Sequence, residues 1–445
     1  MRIHYLIAGA ANMYCGSCLR DNALAAELLA QGHQVLLLPL YTPIRTDETD
    51  VSDSHIFFGG VSVYLEEKVP WLRRGPRFLD RLWDSRALLK LLSRLSIRTD
   101  PHSLGALTVS ILRGEDGNQQ KEFGKLLDWL VTQPRPDVVV LPFSLLIRLA
   151  APIKRALDCA VCCSLQGEDL YLDSLDQPYR AQAMELIGAH LGDVDAFLPV
   201  SDYYARFMSE YLALPAEKIH VIPLGINLRG YPGSPRAAGG VFNLGYLARI
   251  APEKGLHILA EAYSLLRREN RLPPSRLSVA GYLSKEYRGY LRQVELKMRG
   301  GGLADEFQYA GELTREEKIR FLCGLHLFSI PGSYADPKGL SVLEAMACGV
   351  PVVQPGHGAH PEMIARTGGG VLFEPGKVSA LAESIESLWK DRERAAALGR
   401  AGFEGVRRHY SVSGVAARAA EVYASVAAGI TRSGPLPAAS AARGL

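Results

Sequence analysis

Several things are scarce in this chain of 445 residues. It has no run of about 18 apolar residues, which excludes an ordinary membrane-spanning helix. Cysteine is sparse and odd in number, at seven residues. Nothing in the chain suggests a disulfide scaffold, and with no secretory leader at its start a reducing cytoplasm is the expected setting. The opening residues, Met1 to Gly9, carry one cation and an apolar run broken by His4, and read as a first strand. Neither sign of charge dominates: 50 basic residues against 47 acidic ones leave a net +3. That balance excludes a nucleic-acid binder built on bulk electrostatics. No internal repeat is evident. No G-x-G-x-x-G follows the first apolar run, which argues against a nicotinamide-dependent dehydrogenase.

What is present is ordinary globular composition, 48% hydrophobic and 22% charged. At about 150 residues per domain that length suggests two or three domains, each able to bury its own core. Continuous apolar segments at Ile3–Ala8, Val35–Leu38, Val138–Pro142, Cys159–Leu165 and Ala196–Val200 predict parallel strands covered on both faces, and His220–Gly225 is read as closing that series. A loop is expected over Asn12–Ser17 and a helix over Asn22–Ala30, ending near His33. Leu228 to Gly240 shifts to Gly, Pro, Arg, Ala and Ser and reads as a linker. A second strand series follows from Val241, with helices predicted at Leu256–Asn270 and Leu340–Ala347. The expected organisation is a first domain over 1–227, a linker over 228–240 and a second domain over 241–405. Further helices are expected over 406–427, with an unstructured tail over 428–445. The predicted class is α/β, two doubly wound Rossmann-like domains facing across a cleft, where ligands sit beyond the carboxyl ends of both sheets.

The most informative stretch runs from Asp336 to Val353. A carboxylate lies in a loop, Gly339 marks the turn, and a helix starts at once with Glu344 in its early turns. Glycine lets a backbone approach a ligand, and the free N–H groups of a helix start suit an anion such as a diphosphate. Asp336 and Glu344 flank that point as acceptors for sugar and ribose hydroxyls.

This segment resembles the E-x7-E region of family-4 retaining glycosyltransferases of the GT-B fold, with Asp336 at the first acidic position. Gly245–Gly255 resembles the family's strand-end segment, where an Arg and a Lys meet the donor diphosphate. Ser201, Ile219–Asn227, His357–Ile364 and Gly370–Gly376 fit the same pattern. The resemblance implies that Arg249 and Lys254 bind the diphosphate and that Asp336 contacts the transferred sugar. It further implies that Gly339 and Leu340 offer backbone N–H groups beside Lys338, and that Glu344 binds the ribose. Asp336, Arg249 and Lys254 are the catalytic candidates, and no metal or other cofactor is expected, since the two cations can offset the charge of the leaving diphosphate.

Two positions depart from the family pattern. Asp336 is one methylene shorter than the Glu found there. Gln166, in Ser164–Asp169, stands where many relatives carry a His; with Asp169 it is the acceptor-side candidate. In the first half Gly16, in Tyr14-Cys15-Gly16-Ser17-Cys18, is the expected close-approach residue of the loop facing the donor. Gln31–Pro39 also resembles glucan synthases of the glycogen and starch type, which however carry a Lys before paired glycines where this chain has Tyr14-Cys15.

Weaker signals have plain structural readings. Asp193-Val194-Asp195 is a D-x-D, read as a turn or cap before a strand. Cys15-x2-Cys18 and Cys159-x2-Cys162 invite a zinc or redox site, but 159 and 162 would point to opposite faces of a strand. His357 and His360 lie in a loop that could face the cleft. Trp71–Arg98 holds eight basic residues against Asp80 and Asp84, with aromatics interleaved. It reads either as a solvated amphipathic helix or as a peripheral contact with an anionic membrane at the inner face. The expected function is transfer of a sugar from a nucleotide diphosphate donor to the hydroxyl of a glycan, a lipid-linked or a small-molecule acceptor. The alternatives are a non-catalytic nucleotide-sugar binder, a glucan synthase, or a sugar phosphorylase on the same fold.

Overall fold

The computed structural model describes residues 1–9, 14–57, 101–234 and 240–429, with the backbone alone for 101–103. The basic stretch 71–98, residues 235–239 of the expected linker and the tail from 430 lie outside the described residues.

The apolar segments form the strands they predict. β1 (Arg2–Ile7), β2 (Gln34–Pro39), β3 (Val138–Leu141), β4 (Ala160–Leu165) and β5 (Ala196–Pro199) make one parallel sheet in the order β2-β1-β3-β4-β5. β6 (Phe242–Leu247), β7 (Ser275–Ala280), β8 (Phe307–Tyr309), β9 (Leu327–Phe328), β10 (Val352–Pro355) and β11 (Gly370–Phe373) make a second, ordered β11-β10-β9-β6-β7-β8. Helices cover both faces of each sheet, and the central strand β3 is buried throughout, while the edge strands β2, β8 and β11 keep exposed residues. Strand order reverses between β1 and β3, and again between β6 and β9. The crevices beyond the carboxyl ends of those strands are where doubly wound sheets receive ligands.

His220–Gly225 is not a strand. Its neighbour Ile219 makes an isolated bridge to Phe197, and His220 and Ile222 donate N–H bonds to carbonyls of β5. Pro223 has no N–H with which to continue the ladder. The first helix, Gly16–Ala30, starts six residues before the expected Asn22, so Gly16, Ser17 and Cys18 form its first turn rather than a loop. The expected linker is anchored at Tyr231, which is 8% exposed and packs in the core of the second domain.

The chain also crosses back. The expected boundary at 405/406 falls inside the helix Arg392–His409. The next helix, Val412–Ala428, returns to the first sheet, where Ala416, Ala419 and Tyr423 share a core with Ile3, Tyr5 and Val138. The Tyr423 and Tyr5 hydroxyls lie 3.2 Å apart within it. Replacing Tyr423 by Ala removes a fully buried ring and is expected to cost about 3–5 kcal/mol. Urea unfolding followed by a first-domain probe such as Trp129 fluorescence checks this.

Candidate active site

The carboxyl ends of the two sheets enclose a cavity of about 390 Å³. From the first domain it is lined by Tyr14, Cys15, Gly16, Leu19 and Asp47. The second domain contributes the segment after β6 (Ala248, Arg249, Lys254), the segment after β9 (Ile330, Gly332, Tyr334, Asp336, Lys338) and the start of the helix Leu340–Ala347. Gly281, Lys318, Glu344 and His360 also line it. Eight of the ten residues singled out from the sequence therefore come together: Gly16, Arg249, Lys254, Asp336, Lys338, Gly339, Leu340 and Glu344.

The helix Leu340–Ala347 follows directly on Gly339, whose φ of 65° is the left-handed conformation that favours glycine. Val342 and Leu343 return their N–H groups to the Gly339 carbonyl. Gly339, Leu340 and Ser341, the residues at the open end of the helix, line the cavity. The preceding loop is pinned from behind at Gly358, where a Cβ would lie 2.6 Å from the Asp336 carbonyl oxygen and where φ is 64°. A carbonyl–amide bond from Asp336 to Ala359 fixes the same contact at 2.9 Å.

The Asp336 carboxylate pairs with the Lys254 ammonium and accepts the Lys338 backbone N–H at 2.9 Å. Burial alone raises the pKa of a carboxyl. Here the adjoining Lys254 and Lys338 charges outweigh it and hold Asp336 well below the usual carboxylate range. Arg249 pairs with Glu253 and is 41% exposed at the cleft. Lys338 reaches across the cleft to the Ser17 hydroxyl at 2.8 Å. His360 is buried beneath Gly339, and burial pulls its imidazole down to about 4, so it is neutral at pH 7.

Glu344 is 6% exposed. It accepts from Lys318 Nζ at 2.6 Å and from the Tyr231 hydroxyl at 3.3 Å. The same ammonium donates to Asp47 of the first domain at 2.5 Å. Burial lowers the pKa of a lysine, yet two carboxylates hold Lys318 above the usual lysine range. Lys318, Asp47, Tyr231 and Tyr334 were not apparent from the sequence. Lys318 ends the run Arg315-Glu316-Glu317-Lys318, which has the look of a solvated helix start, and only its tertiary partners distinguish it.

The acceptor-side candidates lie elsewhere. Neither Gln166 nor Asp169 lines the cavity. Gln166 is buried and donates to the Asp21 carboxylate at 3.1 Å, while Asp21 is itself paired with Arg20 at 2.8 Å. Asp169 is buried and accepts from the hydroxyls of Tyr204 at 2.7 Å and Tyr334 at 2.9 Å, the latter a bond across the cleft. The D-x-D is structural: Asp195 holds Lys154 and the Val161 N–H, and Asp193 lies 2.9 Å from His190. The two C-x-x-C pairs do not converge, because Cys15 and Cys18 follow the carboxyl end of β1 and Cys159 precedes the amino end of β4. No group of three or more His, Cys, Asp or Glu placed to hold a metal occurs among the described residues.

Two parallel α/β domains, with an anion-ready helix start and paired cations in the cleft between them, define the class of GT-B glycosyltransferases. Residues 234–405 match the family described as glycosyl transferases group 1, and residues 21–225 match the glycosyl transferase 4-like domain. The chain belongs to the family-4 glycosyltransferases. It is 28% identical over 248 residues to the GDP-mannose-dependent alpha-(1-6)-phosphatidylinositol monomannoside mannosyltransferase of Mycobacterium tuberculosis, covering 52% of this chain and 62% of that protein. It is 28% identical over 243 residues to the D-inositol 3-phosphate glycosyltransferase of Mycolicibacterium smegmatis, covering 52% of each. These matches thus span about half to three fifths of the relatives' lengths. In fold, the chain is similar to Anabaena HepE in complex with UDP and glucose, with a TM-score of 0.66 at 16% identity over 96% of this chain and 100% of that one. It is likewise similar to the sucrose-phosphate synthase of Thermosynechococcus elongatus, with a TM-score of 0.70 at 17% identity over 96% and 99%.

Two outcomes follow for the charged groups. Lys318→Met leaves two buried carboxylates facing one another and is expected to cost about 3–5 kcal/mol at neutral pH, read by urea unfolding. Asp336 has a folded pKa below its ordinary 3.8, so its contribution to stability is complete above that value and is lost as pH falls through and beneath it. Asp336→Asn is therefore expected to lose less stability than the parent between pH 5 and 3, which parallel denaturation series would show.

Proposed function

We propose that this protein is a metal-independent, retaining glycosyltransferase that moves a hexose from a nucleotide diphosphate donor to an acceptor hydroxyl. The observation that carries this reading is the meeting of Lys254, Arg249 and the open start of the helix Leu340–Ala347 around one cavity at the strand-order reversal of the second sheet.

The chemistry follows from the charges. As the glycosidic bond breaks, negative charge grows on the diphosphate. Arg249, Lys254 and the N–H groups at Gly339, Leu340 and Ser341 stabilise that charge where it develops, without the reorganisation water would need. Asp336 is ionised and carries its charge beside Lys254, so its remaining acceptor capacity serves the hydroxyls of the transferred sugar. Glu344, held at one oxygen by Lys318 and Tyr231, offers the other to the ribose. In a retaining, front-face transfer the departing phosphate takes the acceptor's proton, so no side-chain base is needed where Gln166, which cannot exchange a proton near neutral pH, stands. The bonds across the cleft, Tyr334 to Asp169 and Lys338 to Ser17, hold the domains closed and keep water from the donor.

The mannosyl- and inositol-directed relatives support GDP-mannose as the first donor to test and a polyol or glycolipid hydroxyl as acceptor, with UDP-glucose as the competing donor. Action of the chain at the inner face of a membrane suits a lipid-linked acceptor, and among the described residues no helix is long and apolar enough to cross one.

Steady-state transfer with each donor, with and without EDTA, tests this. Activity is expected to survive EDTA, and the product's anomeric configuration by NMR to match the donor's. Glu344→Ala is expected to raise the donor KM by roughly tenfold or more, and Asp336→Asn to lower kcat by about 10²–10³. Activity lost to EDTA and restored by Mg²⁺ would sink metal independence. Donor binding with neither transfer nor hydrolysis would favour a non-catalytic sugar-nucleotide binder.

A further inference from the structure

Seven cysteines are spread over the molecule, and their surroundings differ sharply. Cys159, Cys162 and Cys163 are buried in apolar cores, and burial pushes each thiol up, Cys159 to about 12. Such thiols stay protonated and inert. Cys348 is fully buried at the end of the helix Leu340–Ala347, and its thiol is raised by a bond to Cys323 and by burial.

Cys15 is different in four respects. It lines the cavity, whereas the other six do not. It occupies the cap position of the helix Gly16–Ala30, at the end where backbone N–H groups have no partner within the helix. The Cys18 thiol lies one turn on, within hydrogen-bonding reach of the Cys15 sulfur, and is 3% exposed. The Lys338 ammonium, anchored on Ser17 Oγ at 2.8 Å, adds positive charge beside the pair. We propose that Cys15 is a nucleophilic modification site in the cavity wall, with Cys18 as its resolving thiol, and that a hydroperoxide converts the pair reversibly to a disulfide.

The electrostatics agree. The Cys18 thiol first, then the Lys338 charge and the helix N–H groups, outweigh burial and hold the Cys15 thiol below its ordinary value, which favours the thiolate. Cys18 is pushed the other way, chiefly by its bond to the Cys15 sulfur and by burial, and keeps its proton. The steps balance. The Cys15 thiolate attacks the distal oxygen of the hydroperoxide, the O–O bond breaks, and the departing alkoxide or hydroxide takes a proton from water. Cys15 is now a sulfenic acid and no longer carries the charge that held the Cys18 proton. Cys18 loses that proton and attacks the Cys15 sulfur. The S–O bond breaks and the hydroxide leaves as water with that proton. Two thiols and one hydroperoxide give one disulfide, one alcohol or water, and one water. A dithiol reverses the change. The oxidation state thus sets the charge on the cavity wall beside Lys338. The site stands whether or not the cavity binds a sugar nucleotide.

The test is mass spectrometry on the full chain. With hydrogen peroxide at pH 7 the intact mass is expected to fall by about 2 Da, with peptide mapping joining Cys15 to Cys18 and dithiothreitol restoring the mass. Cys18→Ser should stop at a sulfenic acid on Cys15 that dimedone traps, and Cys15→Ser should abolish both products. On the unmodified parent, the rate of Cys15 alkylation by iodoacetamide should change less than about threefold between pH 6.5 and 8.5, against roughly tenfold per unit for an ordinary thiol. Lys338→Met should move that profile to higher pH. A bridge mapped to Cys323 and Cys348, or an alkylation rate that climbs through pH 8 as an ordinary thiol's does, would overturn the proposal.

Discussion

A single buried ammonium governs much of the cleft. Lys318 is 10% exposed at its side chain and is held between carboxylates of similar burial from opposite domains, Asp47 and Glu344. A charge taken out of water is tolerated only when its partners are fixed close by, and neither carboxylate can leave without stranding the other charges. The triad therefore sets two things together. It fixes the Glu344 rotamer, and with it one wall of the cavity. It also fixes the approach of the first domain's loop after β2 to the helix Arg315–Cys323. Arg315 extends the same contact to Glu48 at 2.8 Å. Site geometry and domain closure rest on the same bonds, so a change in one is felt in the other.

The remaining charges of the cavity are arranged on the same economy. Lys254 and Arg249 are each neutralised by a carboxylate from nearby in space, Asp336 and Glu253. Cations held this way are already oriented, and an incoming anion exchanges partners instead of ordering loose side chains. The helix start at Gly339–Ser341 adds a positive partial charge that no side chain neutralises by rotating. Its direction is fixed by the backbone contacts of Gly339 and Gly358, which is why the loop carrying Asp336 stays in place although its carboxylate is one methylene short of a glutamate.

What could be read from the sequence was whatever is local. Arg249 and Lys254 follow the end of β6, and Asp336 to Glu344 run from a strand-end loop into a helix, so spacing alone brings them together once the strands are placed. The layers of the fold were legible for the same reason, since a strand buried on both faces has to be apolar throughout. What could not be read depends on contacts far apart in the chain. Lys318 meets Asp47 across 271 residues, and Tyr334 meets Asp169 across 165. The return of the helix Val412–Ala428 to the first sheet depends on a Tyr423–Tyr5 contact across 418 residues, and small Ala-rich faces pack against many surfaces. Gln166 and Asp169 follow a strand end, as spacing indicates, but the partners that hold them, Asp21 for Gln166 and Tyr204 and Tyr334 for Asp169, are not revealed by spacing.

The two C-x-x-C segments show how one spacing yields opposite chemistry. At the first pair Cys15 is the extended cap of a helix and Cys18 is that helix's third residue, so both stand at an N-terminus where free N–H groups favour a thiolate. Three residues along a strand send side chains to opposite faces, so Cys159 and Cys162 enter separate cores on the two sides of the first sheet. There burial favours the thiol in both, and neither can reach the other. The motif alone specifies nothing until the period of the backbone beneath it is known. At the first pair the small and polar sequence Tyr14 to Ser17 reads as a loop, whereas the helix begins at Gly16 and is held in the first domain by the buried Cys18 and by Asn22, which donates to the Thr49 carbonyl.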